Sequence, residues 1–214
     1  MTATRTVLLF GDSNTHGTIA LSGLGDQNRF GGEVRWPGVC SVALGIGWRL
    51  IEEGHPGRTT VHPDPIEGPH RNGLMVLPAI LESHRPIDIV VVMLGTNDLK
   101  ARFSVTAFDI AAGVEKLVAT IRTNGCGPDG GAPDILVVAP PPIMETGVLA
   151  EMFRGGARKS QQLAAEYAAM ADRMAVEFMD AGSVIESDPV DGIHLTAQAH
   201  AALGRAIADK LKSM

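Results

Sequence analysis

Close to its beginning the chain reads Val7-Leu8-Leu9-Phe10-Gly11-Asp12-Ser13. The four apolar residues predict a buried strand, and the Gly-Asp-Ser that follows predicts a turn. Open α/β proteins build their sites at the carboxyl ends of their strands. We therefore expect the hydroxyl of Ser13 at such an edge, where it can serve as a nucleophile.

Apolar runs alternate with helical patterns along the rest of the chain. The run Ile87–Leu94 is almost continuous and rich in β-branched residues, which is typical of a parallel strand covered on both faces. The alternation predicts a single α/β domain over residues 1–214, with a doubly wound, mainly five-stranded parallel sheet and helices on both faces. The predicted strands are Thr6–Phe10, Trp48–Glu52, Ile87–Leu94, Ile135–Ala139 and Val176–Asp180.

Two of the helices carry recognisable end signals. Thr106 and Asp109 resemble a capping box, and Gly125 is placed to end the helix that they begin. Thr196 can cap a last helix near the end of the chain. Both helices are therefore predicted with defined starting points.

Composition limits the class of protein. Of the 214 residues, 45% are hydrophobic, which suits a well-buried core and argues against disorder. The net charge of −6 argues against a nucleic-acid partner, and the apolar runs are too short to span a bilayer. The apolar stretch after Arg5 is expected to be the first strand and not a signal peptide. Cys40 and Cys126 lack paired spacing, so we expect free thiols and a cytoplasmic protein.

A second polar motif, Asp191-Gly192-Ile193-His194, lies near the other end of the chain. Ser, His and Asp form a nucleophilic triad, which is recognised by geometry and not by chain order. His194 can take the proton of Ser13, and Asp191 is close enough in sequence to orient the imidazole. The predicted catalytic residues are therefore Ser13, Asp191 and His194.

Acyl transfer also needs donors for the negative charge that develops on the substrate oxygen. Gly95-Thr96-Asn97-Asp98 follows the most hydrophobic strand, and Gly54-His55-Pro56-Gly57 follows another. The backbone N–H groups of Ser13 and Gly57 and the side-chain amide of Asn97 are the candidate donors. Gly54 competes with Gly57 for this role.

These motifs together resemble the SGNH (GDSL-type) hydrolases, whose four named blocks correspond to Ser13, Gly57, Asn97 and His194. The resemblance is strongest to the arylesterase/acyltransferase subgroup. The motifs that carry it are Gly11-Asp12-Ser13, Val34-Arg35-Trp36, Ile51-Glu52-Glu53-Gly54, Arg58-Thr59-Thr60, Met93-Leu94-Gly95-Thr96-Asn97-Asp98, Asp180-Ala181-Gly182-Ser183-Val184-Ile185 and the Asp191-Gly192-Ile193-His194 that follows it. The resemblance implies a flavodoxin-like sheet and ester hydrolysis through an acyl-enzyme, without a cofactor. In this subgroup some members also pass the acyl group to alcohols or peroxide.

Several residues admit two interpretations. Trp36, Asp12 and Ile193 are candidate substrate-binding residues, although Asp12 is better explained as a residue that holds the turn, and a packed anchor explains Trp36 almost as well. Phe30 and Leu24 are further candidates for the pocket. Met144, Leu149, Met152 and Phe153 can form a lid wall or a subunit contact. His55, His62 and His70 with Asp64 fit no tight ligand spacing, so no metal site is predicted.

The function with most support is a serine esterase for short acyl esters, with acyltransferase or perhydrolase activity as an extension. A carbohydrate O-deacetylase of the same family is the alternative within enzymes. A flavodoxin-like phosphate-binding module is the alternative of another class, but Gly11–Gly17 lacks the lysine of a P-loop. The long segment Ala20–Pro37 is expected to shape the site at a subunit contact, which predicts a homo-oligomer.

Overall fold

The protein was examined as a computed structural model, which describes residues 4–214. Its five strands form one parallel sheet in the order β2-β1-β3-β4-β5. The chain moves outward from β1 in both directions, so the sheet is doubly wound, and the predicted fold class is confirmed. The strands are β1 Arg5–Gly11, β2 Trp48–Gly54, β3 Ile89–Met93, β4 Asp134–Ala139 and β5 Glu177–Asp180.

Six α-helices connect and flank the strands: α1 Ser13–His16, α2 Trp36–Leu44, α3 Gly73–His84, α4 Ala107–Asn124, α5 Gly156–Met174 and α6 Ala197–Ser213. Short 3₁₀ turns lie at Pro69–Arg71, Asn97–Leu99, Ala101–Phe103, Pro128–Gly130, Gly147–Leu149 and Ala181–Ser183. None of these helices is both long and apolar enough to cross a bilayer, within the part of the chain that the structure describes.

Two hydrophobic clusters cover the two faces of the sheet. Leu8 and Phe10 of β1 point into the cluster formed with α3, α4 and α5. Val7 and Leu9 point into the opposite cluster, formed with α2 and α6. Alternate side chains of a strand lie on opposite faces, so a run that is apolar throughout requires helices on both sides.

Strand β3 is shorter than predicted at both ends, where backbone groups bond outside the sheet. The predicted strand Ile87–Leu94 is shortened to β3 because the N–H of Ile87 donates to the carbonyl of Cys126. At its other end the hydroxyl of Tyr167 donates to the carbonyl of Leu94. These partners lie in neighbouring loops and helices, so hydrophobicity alone did not reveal them.

The predicted helix caps are present. Thr106 and Asp109 form a reciprocal capping box at the start of α4, and Gly125 ends that helix with φ 71°. The hydroxyl of Thr196 accepts the N–H of Ala199 at 3.0 Å and so fixes the start of α6. This cap lies two residues after His194 and limits the freedom of the segment that carries it.

Candidate active site

The residues predicted to act in catalysis meet at the carboxyl edge of the sheet. Ser13 follows β1, Gly57 follows β2 and Asn97 follows β3, while His194 lies between β5 and α6. These four residues line one cavity of about 720 Å³. Parallel strands place their carboxyl ends at one edge, which is why segments far apart in sequence converge here.

The nucleophile turn is held by Asp12. Its carboxylate accepts the N–H of Asn14 at 2.9 Å and so caps α1, which places Ser13 at the first helical position. The side-chain amide of Asn14 donates to the carbonyl of Ile193 at 3.1 Å. The turn that carries Ser13 is therefore tied directly to the segment that carries His194.

Asp191 and His194 form a tight pair. Nδ1 of His194 lies 2.5 Å from Oδ2 of Asp191, and Oδ1 of Asp191 accepts the backbone N–H groups of Ile193 and His194 at 3.0 Å each. Burial alone raises the pKa of the Asp191 carboxyl, but these hydrogen bonds and the His194 charge outweigh it and lower the pKa to about 2. An ionised carboxylate at this distance keeps the proton on Nδ1 and leaves Nε2 as the basic atom.

Gly57 is the glycine that belongs to the site. It lies on the cavity wall and has φ 75°, a conformation that favours glycine. A Cβ at Gly57 would lie 2.6 Å from Oε2 of Glu67. Gly54 is needed for another reason, because a Cβ there would lie 2.2 Å from the backbone nitrogen of His16. Gly54 therefore lets β2 pack against α1, and it does not line the cavity.

Asn97 is held at the cavity wall by two residues, Arg58 and Asp12, which are sequence neighbours of the other two candidate oxyanion donors. Its Nδ2 donates to the carbonyl of Arg58 at 3.2 Å and to Oδ2 of Asp12 at 3.4 Å. Arg58 follows Gly57 and Asp12 precedes Ser13. The three candidate oxyanion donors are thus linked through a short chain of buried contacts.

Asp98 holds the segment that follows Gly57 and Arg58 through hydrogen bonds from Thr60. It is fully buried, and its carboxylate accepts the backbone N–H and the hydroxyl of Thr60. Burial raises the pKa of Asp98 to about 7, although the hydrogen bonds from Thr60 oppose the shift. Asp98 therefore holds the segment after Gly57 and does not line the cavity.

Arg58 was not singled out for a role from the sequence. Its guanidinium is buried, donates to the carbonyl of Gly11 at 2.8 Å and to the carbonyl of Glu53, and lies 4.3 Å from the centre of the Phe10 ring. Burial lowers the pKa of Arg58 to about 10. The arginine therefore joins the carboxyl ends of β1 and β2 directly behind Ser13 and Gly57.

The cavity has a polar wall and an apolar wall. Glu67 and Lys100 on the polar wall form an ion pair with an Nζ–Oε1 distance of 2.5 Å. The other polar lining residues include His16, Arg29, His55 and Arg71, and the apolar wall is formed by Leu21, Leu24, Leu149, Met152, Phe153 and Ile193. A substrate can therefore present an apolar group to one side and a hydrogen-bonding group to the other.

Two of the three candidate substrate-binding residues do not line the cavity, and each instead has the structural role that was its other interpretation. Trp36 is only 1% exposed and packs in the hydrophobic cluster with α6, away from the cavity. Asp12 caps the nucleophile turn and does not line the cavity either. Ile193 lies on the cavity wall as expected. Phe30 packs edge-on against the ring of His200 and is also absent from the cavity lining.

The histidine-rich loop has other partners. Asp64 forms ion pairs with Lys100 and Arg102, and His62 stacks on Phe103 with ring centroids 5.6 Å apart. His55 and His70 pack edge to face, with ring centroids 5.6 Å apart. Among residues 4–214 no group of three or more His, Cys, Asp or Glu side chains is arranged to hold a metal ion.

Comparison with known proteins agrees with this geometry. The model of the GDSL-like lipase/acylhydrolase family matches residues 9–202. The chain belongs to this family. Membership confirms the resemblance found in the sequence and makes the protein a carboxylic ester hydrolase. It also decides against the phosphate-binding module.

Solved structures of GDSL-like proteins superpose on almost the whole chain. The aryl esterase of M. smegmatis is 43% identical, with a TM-score of 0.93 over 98% of this chain and 99% of that chain. Est24, a carbohydrate acetylesterase from Sinorhizobium meliloti, is 45% identical, with the same TM-score and coverage. A carbohydrate acetylesterase family member from the same organism is 40% identical, with a TM-score of 0.90 over 98% of each chain. No curated protein matches the chain.

Proposed function

We propose that the protein is a serine esterase that hydrolyses short acyl esters through an acyl-enzyme on Ser13. The observation that carries the proposal is the 2.5 Å contact between the Asp191 carboxylate and His194, which lines the same cavity as Ser13. A nucleophile and a base at one cavity, with a buried carboxylate that orients the base, are the parts that acyl transfer requires.

The steps follow from the positions of these groups. Oγ of Ser13 attacks the ester carbonyl while Nε2 of His194 takes the hydroxyl proton. The N–H groups of Ser13 and Gly57 stabilise the tetrahedral oxyanion, together with the amide of Asn97, which exchanges its 3.4 Å contact with Asp12 for the substrate oxygen. The C–O bond to the alcohol then breaks, and His194 gives the proton to the leaving oxygen. Water, deprotonated by His194, then attacks the acyl carbon, the bond from that carbon to Oγ of Ser13 breaks, and His194 returns the proton to Oγ as the acid leaves.

Substitution of the nucleophile tests the proposal. We expect Ser13→Ala to keep the fold and to lower kcat for an aryl acetate by roughly 10⁶. A fluorophosphonate probe should label the wild-type protein at Ser13 and leave the variant unlabelled. Ser22→Ala, an exposed serine in the next loop, is the matched control and should be labelled normally. Ser13→Ala activity within tenfold of wild type would show that another residue is the nucleophile.

A carbohydrate O-deacetylase is the second candidate, and the polar wall favours it. His16, His55 and Arg71 offer side-chain nitrogens beside the catalytic residues, where a sugar ring would need hydrogen-bond partners. The name of Est24 points to the same substrate class for that relative. The ratio of kcat/KM for an acetylated sugar to that for an aryl acetate separates the two functions.

We also propose transfer of the acyl group to alcohols or peroxide, because the apolar wall formed with Leu149 and Phe153 disfavours water at the acyl-enzyme.

Leu24 and Ile66 are about three-quarters exposed, which supports a contact between copies of the chain. Two buried free cysteines and a net charge of −6 support a cytoplasmic enzyme whose partners are ester substrates and its own copies, not nucleic acid or membranes.

A further inference from the structure

The carboxylate of Asp191 accepts a hydrogen bond from a distant part of the chain. Three of its donors lie within its own segment: two backbone N–H groups and Nδ1 of His194. The fourth is the backbone N–H of Leu21, which donates to Oδ2 at 2.7 Å from a position 170 residues earlier. Asp191 itself is fully buried, so each of these donors matters for holding its charge.

Leu21 and His194 share one oxygen of that carboxylate. Oδ2 accepts Nδ1–H of His194 at 2.5 Å and the N–H of Leu21 at 2.7 Å. The backbone N–H groups at Oδ1 fix one side of the carboxylate, and Leu21 fixes the side that faces the imidazole. The hydrogen bond from Leu21 also contributes to the lowered pKa of Asp191. Partners of an orienting group set how well it holds the group that does the chemistry.

Leu21 also takes part in forming the cavity. Its side chain lines the cavity beside Ile193 and His194 and packs against the larger core cluster. It begins a compact loop in which the N–H groups of Ser22 and Gly23 both donate to Oδ2 of Asp26 at 2.9 Å. One residue therefore contributes its side chain to the apolar wall of the cavity and its backbone N–H to the triad carboxylate.

We propose that Leu21 is a positioning residue that couples occupancy of the cavity to the triad. The inference rests on the esterase function proposed above. An acyl group that packs against the Leu21 side chain holds the loop in place, and the loop in turn holds Oδ2 of Asp191 against Nδ1 of His194. Acyl groups long enough to touch Leu21 are therefore turned over with a higher kcat, and not only bound more tightly.

The backbone and side-chain roles can be separated by substitution. Leu21→Pro removes the N–H and should lower kcat, and the rate of fluorophosphonate labelling, by about ten- to a hundredfold with KM within about twofold. Leu21→Ala keeps the N–H but removes the packing of the side chain, so its labelling rate should fall less than that of Leu21→Pro while its preference for longer acyl chains is lost. Ser22→Pro is the matched control, because it removes a loop N–H that donates to Asp26 and leaves the N–H of Leu21 in place.

A spectroscopic readout follows the hydrogen bond itself. The Nδ1 proton of His194 should give a downfield ¹H NMR resonance, which Leu21→Pro shifts and Ser22→Pro does not. If Leu21→Pro is labelled at the wild-type rate and its Nδ1 resonance is not shifted, the inference is overturned. Absence of labelling in the wild-type protein would instead contradict the proposed function.

A second measurement covers the case in which Leu21→Pro does not fold by circular dichroism. Hydrogen exchange can then be compared between the wild-type protein and Asp191→Ala, which removes the acceptor. The amide of Leu21 should exchange at least tenfold faster in Asp191→Ala. Equal exchange rates would overturn the inference without any use of the proline variant.

Discussion

At the scale of single residues, Asn97 is the group whose role depends most on geometry. Its amide is a candidate donor to the oxyanion, which exists only in the transition state. We therefore expect Asn97→Ala to lower kcat by roughly 10²–10³ and to leave KM almost unchanged. Steady-state kinetics with an aryl acetate measure both constants. A variant with normal kcat per folded molecule would make Asn97 a purely structural residue.

Asp191 determines how the enzyme responds to acid. Its native pKa of about 2 lies below the ordinary value of 3.8, so its contribution to stability is complete above about pH 4 and is lost as the pH falls toward 2. We expect the free energy of unfolding, measured by urea titration followed by circular dichroism, to fall between about pH 4 and about pH 2. Asp191→Asn should show a smaller loss over the same range, because it has no carboxylate to protonate there. Equal losses in the wild-type protein and the variant would show that Asp191 does not contribute.

Replacing the carboxylate isolates its orienting role. Asp191→Asn keeps the shape of the side chain but removes the charge that holds the proton on Nδ1 of His194. We expect kcat to fall by roughly 10⁴, as for triads that lose this group. The measurement is kcat at the plateau of the wild-type pH profile. Activity within tenfold of wild type would remove Asp191 from the triad.

At the scale of elements, Arg58 joins the ends of β1 and β2. Its Nη1 donates to the carbonyls of Gly11 and Glu53 while the guanidinium lies 4.3 Å from the centre of the Phe10 ring, and lysine has no planar group to stack there. We expect Arg58→Lys to lower the free energy of unfolding by about 2 kcal/mol, the scale of hydrogen bonds to a charged group. We also expect a lower kcat, because the same arginine supports the turn of Ser13.

The control for this prediction lies at the opposite edge of the sheet. Arg122 also donates to two backbone carbonyls, those of Met174 and Ala175, but it is far from the catalytic residues. Arg122→Lys should change stability without changing kcat. Equal kinetic effects in the two variants would mean that Arg58 acts on stability alone.

The same scale shows what could be predicted from the sequence. The five strands and the helices α4 and α6 followed from local patterns, because an all-apolar run such as Val7–Phe10 requires cover on both faces and the caps mark where those two helices begin. Arg58 was missed because its partners are backbone carbonyls, which leave no trace in side-chain chemistry. Trp36 was assigned to the cavity from its position in a polar loop, but the loop ends there and the tryptophan begins α2, facing the core.

At the scale of the whole molecule, the site is assembled from segments that each lie close in sequence to the end of a strand. These segments are far from one another in sequence. Ser13 and His194 are near opposite ends of the chain and are joined by the bond between Asn14 and Ile193. Residue types and motif order predicted which side chains would meet. The two walls of the cavity, and the contact between Leu21 and Asp191, depend on loop paths that no local pattern specifies.

The loop between α1 and α2 should therefore decide which esters are used. The bridge between Thr18 and Arg29 closes its base, and Leu21 and Leu24 contribute to the cavity. We expect replacement of residues 23–27 by two glycines, which keeps Leu21, to change acyl-chain preference and to lower the ratio of acyl transfer to hydrolysis. The first follows from the loss of Leu24 from the cavity wall, and the second from wider access of water to the acyl-enzyme. Rates with esters of increasing chain length, with and without an added alcohol, measure the change.

The matched control is an equal shortening of the exposed turn at Pro128–Gly130, which lies near the amino edge of the sheet and leaves the cavity intact. Sedimentation of the loop variant tests the subunit contact, because removal of the exposed Leu24 should weaken association of the copies. Ser13 should stay reactive to a small fluorophosphonate in both variants. An unchanged substrate profile and a monomeric wild-type protein would together show that the loop neither gates the cavity nor joins subunits.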